Sequence, residues 1–279
     1  MTAPPEPAPV NTGRAVAVGL SAGLLSGTFG VGGGVLMVPA MILLLGVPQR
    51  RASGTSLAAI VPIALFGVAG FALQDQIDYA AALLLGVGAI VGAPLGARLI
   101  HVIPVPRLRA AFALLLVVTA VRLFFDLPDP VLPESINITD GLAITAVGLA
   151  SGLLAGLFGV GGGILMVPAQ MLILGIDPAT AKGTSLLVII PASVSGTVQN
   201  VRRKNADLRL AAILGVSGVA TSFIGSFIAT RMSPTVASLL FAALLLLSAA
   251  RMVQPVAWLQ RHRASRRATQ PDAQDEPST

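Results

Sequence analysis

The chain has 279 residues, of which 54% are hydrophobic and 11% charged, and its mean hydropathy of +0.86 excludes an ordinary soluble domain. The lack of cysteine excludes disulfides and thiolate metal sites, and two histidines are too few for a histidine-based metal site. The formal net charge is +6, but the basic residues lie in short loops and a tail beside apolar runs. We interpret them as topology markers and expect no nucleic acid partner, no metal and no cofactor.

Apolar segments follow one another along the chain. Residues 1–13, beginning MTAPPEPAPV, lack the apolar core of a signal peptide, and we predict a disordered tail there. Uncharged runs then cover residues 15–47, 52–74, 79–97, 110–121, 141–176, 183–201, 210–230 and 232–250. A spanning helix needs about 20 apolar residues, and these runs reach or approach that length. The pattern predicts an all-α polytopic membrane protein embedded in the lipid bilayer.

The second half of the chain repeats the first at an offset of 129 residues. Residues 18–43 and 147–172 share 19 identities in 26 positions, and FGVGGG occurs at both 29–34 and 158–163. The intervening stretch DLPDPVLPES is rich in proline and acidic residues, as expected of a linker. We divide the chain into a tail (1–13), a first repeat (14–125), a linker (126–138), a second repeat (139–254) and a basic, then disordered, cytoplasmic tail (255–279).

Each repeat begins with a glycine-broken segment. As one helix, the 33 residues of 15–47 would be about 50 Å long, against a hydrocarbon core of about 30 Å. Split at the glycines, each arm is too short to cross comfortably. We therefore predict a re-entrant helical hairpin followed by three transmembrane helices in each repeat. A long, tilted and kinked helix that crosses once is the alternative.

The distribution of Lys and Arg favours the hairpin. With hairpins, 15 of the 18 basic residues lie on the side of the N-terminus, whereas single crossings place 11 there. The positive-inside rule prefers the stronger asymmetry. Three crossings plus one hairpin make an odd count, so the second repeat enters from the opposite face. The prediction is two inverted repeats with both termini in the cytoplasm.

The glycine breaks are candidate anion sites. Non-helical backbone at membrane depth is tolerated where it is buried in protein or lines a cavity. A break exposes backbone N–H groups at the start of the second arm, where the positive end of the helix dipole favours an anion. The predicted donors are Gly30, Gly32, Gly33, Gly34, Gly159, Gly161, Gly162 and Gly163. A purely structural kink is the alternative, and the isolated glycines Gly23, Gly27, Gly148, Gly152 and Gly156 are expected to let the two arms approach.

A GTS motif follows each break and starts the next predicted span. Its hydroxyl groups either cap the helix or donate hydrogen bonds to an oxyanion. The residues concerned are Thr55, Ser56, Thr184 and Ser185.

Few charged residues accompany these motifs. The apolar runs contain no Asp, Glu, Lys, Arg or His, whereas a proton pump usually keeps a carboxylate within the membrane. Asp78 and Asp207, at matching starts of later spans, are interpreted as helix N-caps, with proton relay as the alternative. Lys182, just before the second GTS, is placed on the outer side, as a topology marker or as an attractor of anions at the outer mouth.

The two segments GLLSGTFGVGGGVLMVPAMILLLGVPQRRASGTSL and GLLAGLFGVGGGILMVPAQMLILGIDPATAKGTSL resemble the duplicated signature of the sulfite exporter TauE/SafE family. The resemblance covers about residues 14–254. It implies a carrier in the plasma (inner) membrane for sulfur-containing anions such as sulfite, sulfonates or sulfoacetate. The glycine breaks and the GTS motifs are the positions that match in both halves.

Together these features predict a secondary transporter of a small sulfur oxyanion or organosulfonate. We expect export by alternating access at a site in the middle of the membrane. A carrier or channel for another small anion or metabolite is the first alternative. An intramembrane enzyme is the second, although the spans contain no nucleophile–base pair or metal cluster, and we assign no catalytic residue. The oligomeric state is left open.

Overall fold

A computed structural model describes residues 11–99 and 138–253, together with the isolated helical positions 114, 117, 118, 120 and 121. Most of the predicted tails and linker, the arginines that flank run 110–121, and both histidines lie outside the described residues. The first repeat contains helices α1 (Thr12–Phe29), α2 (Gly34–Leu44), α3 (Gln49–Ala72) and α4 (Tyr79–Leu99). The second contains α5 (Ile138–Phe158), α6 (Gly163–Ile173), α7 (Pro178–Arg202), α8 (Leu208–Arg231) and α9 (Pro234–Val253).

The described residues are helical, without a strand, which confirms the all-α prediction for this part of the chain. The helix bounds also follow the repeat, since α2 and α6 begin and end at positions that differ by the offset of 129. Helix α1 begins at Thr12, two residues before the boundary expected for the first repeat. Its N-cap is Asn11, whose side chain accepts a hydrogen bond of 3.2 Å from the backbone N–H of Arg14.

Five described helices are long and apolar enough to cross a membrane. They are α3, α4, α7, α8 and the stretch Gly141–Phe158 of α5. The expectation that each arm of a broken segment is too short to cross is therefore wrong for α5. It holds for α2 and α6, whose 11 residues correspond to about 16 Å. The breaks lie nearer the C-terminal end of each segment, so the first arm is the longer one.

The two arms of the first broken segment fold back on each other. A guanidinium N–H of Arg14, near the start of α1, donates to the carbonyl oxygen of Leu44, at the end of α2, over 3.4 Å. A Cβ added to Gly33 would lie 2.5 Å from the carbonyl oxygen of Ala22, in the middle of α1. A helix that merely kinked and continued would carry Leu44 away from Arg14. These contacts support a hairpin, and its position in the membrane stays a prediction.

The first arm of each broken segment packs against the fourth helix of the other repeat. A Cβ on Gly27 of α1 would overlap the carbonyl oxygen of Ser222 in α8, and one on Gly156 of α5 would overlap that of Ala93 in α4. Residues 27 and 156, and 93 and 222, are related by the repeat offset. The isolated glycines thus serve close packing as expected, but the partner is α8 or α4 rather than the second arm.

The outward surface of the bundle carries large apolar side chains. Leu83 of α4 and Leu142 of α5 are each 69% exposed, and Val216 of α8 is 72% exposed. Such surfaces are unfavourable in water but are solvated by lipid tails. The glycine breaks lie inside this shell, because Phe29, Val31 and Phe158 are buried.

Candidate substrate site at the paired glycine breaks

The first break is a short stretch of left-handed backbone. Helix α1 ends at Phe29, and Gly30, Gly32 and Gly33 have φ values of +70°, +77° and +72° before α2 begins at Gly34. Residues with a Cβ rarely adopt these values, so the turn requires glycine at three of its four positions. The backbone N–H of Gly30 donates 2.8 Å to the carbonyl oxygen of Ser26 and closes the end of α1.

The second break repeats this backbone path. Gly159, Gly161 and Gly162 have φ values of +70°, +88° and +81°, and α6 begins at Gly163. The second residue of each turn, Val31 or Val160, is the one that is not glycine and whose φ is not positive. The backbone conformation therefore explains the first four residues of each GVGGG pattern.

The two breaks contact each other. A Cβ on Gly34 would lie 2.5 Å from the carbonyl oxygen of Gly159, and one on Gly163 would lie 2.5 Å from that of Gly30. Real side chains do not approach so closely, so the final glycine of each motif is needed because backbone from the other repeat occupies the space. The described contacts place the two breaks against each other without a gap.

Serine hydroxyls fasten each break to the opposite repeat. The buried Oγ of Ser185 in α7 donates 3.0 Å to the carbonyl oxygen of Gly30. The equivalent Ser56 in α3 donates to the carbonyl oxygen of Gly159. In this arrangement both hydroxyl protons bind protein carbonyl groups. Ser185 and Gly30 are 155 residues apart in the chain, and Ser56 and Gly159 are 103 residues apart.

The helix-capping interpretation of GTS is wrong. Helix α3 begins at Gln49 after the N-cap Pro48, and α7 begins at Pro178 after the N-cap Asp177. Asp177 accepts hydrogen bonds from the N–H groups of Ala179 and Thr180 at 2.9 and 3.1 Å. The aspartate therefore satisfies the first-turn donors, and GTS lies inside the helix.

The threonines of the two motifs bind the start of another helix. Thr55 Oγ1 accepts 2.9 Å from the backbone N–H of Asp207, and Thr184 Oγ1 accepts 2.9 Å from that of Asp78. Asp207 in turn accepts from the N–H of Leu210 at 3.0 Å, and Asp78 accepts from the N–H groups at positions 80 and 81. The prediction that both aspartates cap helices is confirmed.

The twelve predicted site residues thus fall into four sets. Gly30, Gly34, Ser56, Gly159, Gly163 and Ser185 form the contact between the breaks. Gly32 and Gly161 lie against the side chains of Ile60 and Ile189, with hypothetical Cβ contacts of 3.2–3.5 Å. Gly33 and Gly162 lie against their own first arms, and Thr55 and Thr184 reach helix starts away from the breaks.

Lys182 was misplaced by sequence reasoning. The structure puts it in the second turn of α7, where 2% of its surface is exposed. A Cβ on Gly30 would lie 2.6 Å from its Cα, so Lys182 is buried beside the first break rather than exposed at the surface. Its repeat equivalent is Ser53. Comparison of the two repeats could have drawn attention to Lys182, because the equivalent position directly before the first GTS holds a small residue.

Comparisons with known proteins agree with the motif. A sequence model of the family described as "Sulfite exporter TauE/SafE" matches residues 2–123 and 144–276. "Probable membrane transporter protein YunE" of Bacillus subtilis (strain 168) is 29% identical over 212 residues, 67% of this chain and 77% of that protein. "Probable membrane transporter protein YjnA" of the same strain is 27% identical over 250 residues, 85% of this chain and 98% of that protein.

A third relative comes from another organism. "Probable membrane transporter protein MJ0441" of Methanocaldococcus jannaschii is 25% identical over 244 residues, 78% of this chain and 86% of that protein. All three relatives are named as membrane transporters. Together with five helices of spanning length and composition among the described residues, the comparisons make this chain a multi-pass membrane protein.

Proposed function

Because the chain belongs to the sulfite exporter TauE/SafE family of membrane transporters, we propose that it carries a small sulfur-containing anion across the plasma membrane. The cargo is of the sulfite, sulfonate or sulfoacetate type. Transport is secondary and outward, by alternating exposure of a site at the paired breaks. Both termini lie in the cytoplasm.

The observation that carries this proposal is the meeting of two uncapped helix N-termini. The N-cap residues of helices α2 and α6 are Gly33 and Gly162. Glycine has no side chain, so neither first turn has a side-chain cap. The N–H groups of a first turn lack helical partners and carry the positive end of the helix dipole. Two such ends at one place favour a negatively charged ligand.

In the conformation described, the breaks are too close for an anion to lie between them. The Cβ position of Gly34 is 2.5 Å from the carbonyl oxygen of Gly159, whereas an oxyanion needs about 2.7–3.1 Å from each donor to its own oxygen atoms. Binding therefore requires the two repeats to separate at this contact. Separation would also free the hydroxyls of Ser56 and Ser185, which now donate to Gly159 and Gly30, to donate to the cargo.

Inverted repeats explain how one contact can open to either side. The charge asymmetry of 15 to 3 supports opposite insertion of the halves. The reciprocal contacts of α1 with α8 and of α5 with α4 support a pseudo-twofold relation between them. Under this relation, rocking one repeat against the other exposes the site first to one face and then to the other.

Flux in reconstituted vesicles tests the proposal. Purified protein is placed in liposomes loaded with sulfite, methanesulfonate, sulfoacetate, sulfate or chloride, and the release of each anion is followed. We expect protein-dependent release of at least one sulfur oxyanion in preference to chloride. Preferential release of a non-sulfur solute would instead favour another cargo. Consumption of an added compound without net movement would favour an enzyme and contradict the proposal.

A further inference from the structure

Lys182 brings a buried amino group to the first glycine break. Its side chain is 2% exposed, and its Cα lies 2.6 Å from the Cβ position of Gly30. The Nζ atom is 6.0 Å from the ring centroid of Phe29, the last residue of α1. A cationic side chain of the second repeat is thus enclosed beside the turn of the first.

The amino group has no hydrogen-bond or ion-pair partner within the described part of the chain. Nζ makes no hydrogen bond there, and the ion pair found among those residues joins Arg51 to Asp207 at 3.5 Å. The carboxylate of Asp177, five residues earlier in the chain, already accepts two backbone hydrogen bonds at the start of α7. The face of Phe29 compensates the charge in part. Burial of an ammonium group without an anion beside it is unfavourable.

Ser53, the repeat equivalent of Lys182, lies against the second break as Lys182 lies against the first. Ser53 is 3% exposed, its Cα is 2.5 Å from the Cβ position of Gly159, and its Oγ is also without a hydrogen-bond partner in the described residues. Each break therefore lies against one unpaired donor from the opposite repeat. One donor is charged and the other is neutral. A purely structural position would be expected to satisfy a buried ammonium group, whereas other serine hydroxyls of the described residues are unpaired as well.

We propose that Lys182 binds the negative charge of the cargo, with the Ser53 hydroxyl as a second donor on the equivalent side. This inference rests on the proposed function, and it adds two residues that the glycine and GTS motifs do not contain. When the breaks separate, the Lys182 ammonium and the N-terminus of α2 face the same anion. The cargo then replaces the partner that Lys182 lacks in the closed arrangement.

Binding and stability of four variants test the proposal with sulfite and methanesulfonate as probes. The measurements are the thermal unfolding midpoint in detergent, with and without each anion, and flux in vesicles. Lys182→Met should unfold no earlier than the wild type without anion, because a buried unpaired charge has been removed. It should lose the anion-induced rise of the midpoint and at least tenfold in flux. Lys182→Arg, which keeps the charge, should retain both, and Ser53→Ala should weaken binding less.

Lys204→Met is the matched control, because it makes the same change at an exposed loop lysine and should leave binding and flux as in the wild type. Unchanged anion binding by Lys182→Met would overturn the inference. A lowered midpoint with binding retained would also overturn it, since it would point to a structural bond, for example to the unpaired Oε1 of Gln170. If Lys182→Met does not fold, Lys182→Gln replaces it with the same expectations. A wild type that moves none of the anions contradicts the proposed function itself.

Discussion

The hydroxyl of Ser185 donates a hydrogen bond of 3.0 Å to the carbonyl oxygen of Gly30, although 155 residues separate them in the chain. The same bond recurs between Ser56 and Gly159. Each break is therefore held by a helix from the other repeat. Neither repeat contains all the partners of its own break, so the two halves must fold against each other to form the centre of the molecule.

Removal of these hydroxyls should destabilise the protein. In Ser185→Ala and Ser56→Ala, a buried glycine carbonyl loses its serine donor, which typically costs about 1–3 kcal/mol. We expect a lower thermal unfolding midpoint in detergent for each variant. The control is Ser21→Ala, since Ser21 is exposed and binds the carbonyl oxygen of Ala17 within its own helix. Equal midpoints for Ser185→Ala and Ser21→Ala would mean that the bond between repeats does not stabilise the fold.

A single added methyl group should distinguish the contact between the breaks from an ordinary helix surface. Gly34→Ala places its Cβ 2.5 Å from the carbonyl oxygen of Gly159, whereas Gly141→Ala meets only the Cδ1 atom of Leu84 at 4.0 Å. We expect the first variant to lose about 1–3 kcal/mol or more of stability through overpacking. The second should gain up to about 1 kcal/mol in helix propensity. Similar midpoints in a thermal unfolding assay would contradict the close approach of the two repeats.

Charge at the break should matter more than size. Gly161 has φ +88°, and the nearest atoms to its Cβ position lie 3.4 Å away, so Asn, which tolerates this backbone, should be accepted. Gly161→Asp has the same shape but adds a negative charge. Two like charges about 5 Å apart repel by about 3 kcal/mol at an effective dielectric constant of 20. Anion flux in vesicles should therefore fall at least about tenfold from Asn to Asp, and equal flux would place the anion elsewhere.

Labelling of single cysteines should establish how the first broken segment lies in the membrane. The chain contains no cysteine, so Thr12→Cys, Arg50→Cys and Ala72→Cys, all at exposed positions, report without background. We expect positions 12 and 50 to react with a membrane-impermeant reagent from the same side, and position 72 from the opposite side. A single kinked crossing would instead pair position 12 with position 72 and exclude the re-entrant hairpin.

The capping residues Asp78 and Asp207 should tolerate loss of their negative charge but not loss of the side-chain oxygen that accepts the first-turn hydrogen bonds. Asn accepts the same first-turn hydrogen bonds as Asp, so Asp78→Asn and Asp207→Asn should keep wild-type flux. Asp207→Ala should lose about 1 kcal/mol of stability, because Leu210 loses its acceptor. The partly exposed ion pair with Arg51 adds little to this difference. Loss of flux in the asparagine variants would indicate a proton relay, with thermal unfolding as the control for folding.

Local features of the chain were open to prediction from its sequence. Hydropathy predicted the all-helical membrane architecture, glycine content located the breaks, and the short acidic side chains of Asp78 and Asp207 identified two N-caps that the structure confirms. Each of these depends on a few neighbouring residues, because helix formation, unwinding and capping are settled within about one turn. Repetition at an offset of 129 residues also predicted that the two halves form the same set of helices and breaks.

Contacts between the halves were decided only by the tertiary structure. The serine hydroxyls of GTS could cap a helix, bind a ligand or hold a glycine carbonyl, and their sequence is compatible with all three. The partner of Gly27 proved to be Ser222, and Lys182 proved to be buried against Gly30. Such contacts join residues more than 100 positions apart, and backbone propensity and hydropathy carry no information about them, because packing depends on which surfaces meet when both repeats are folded together.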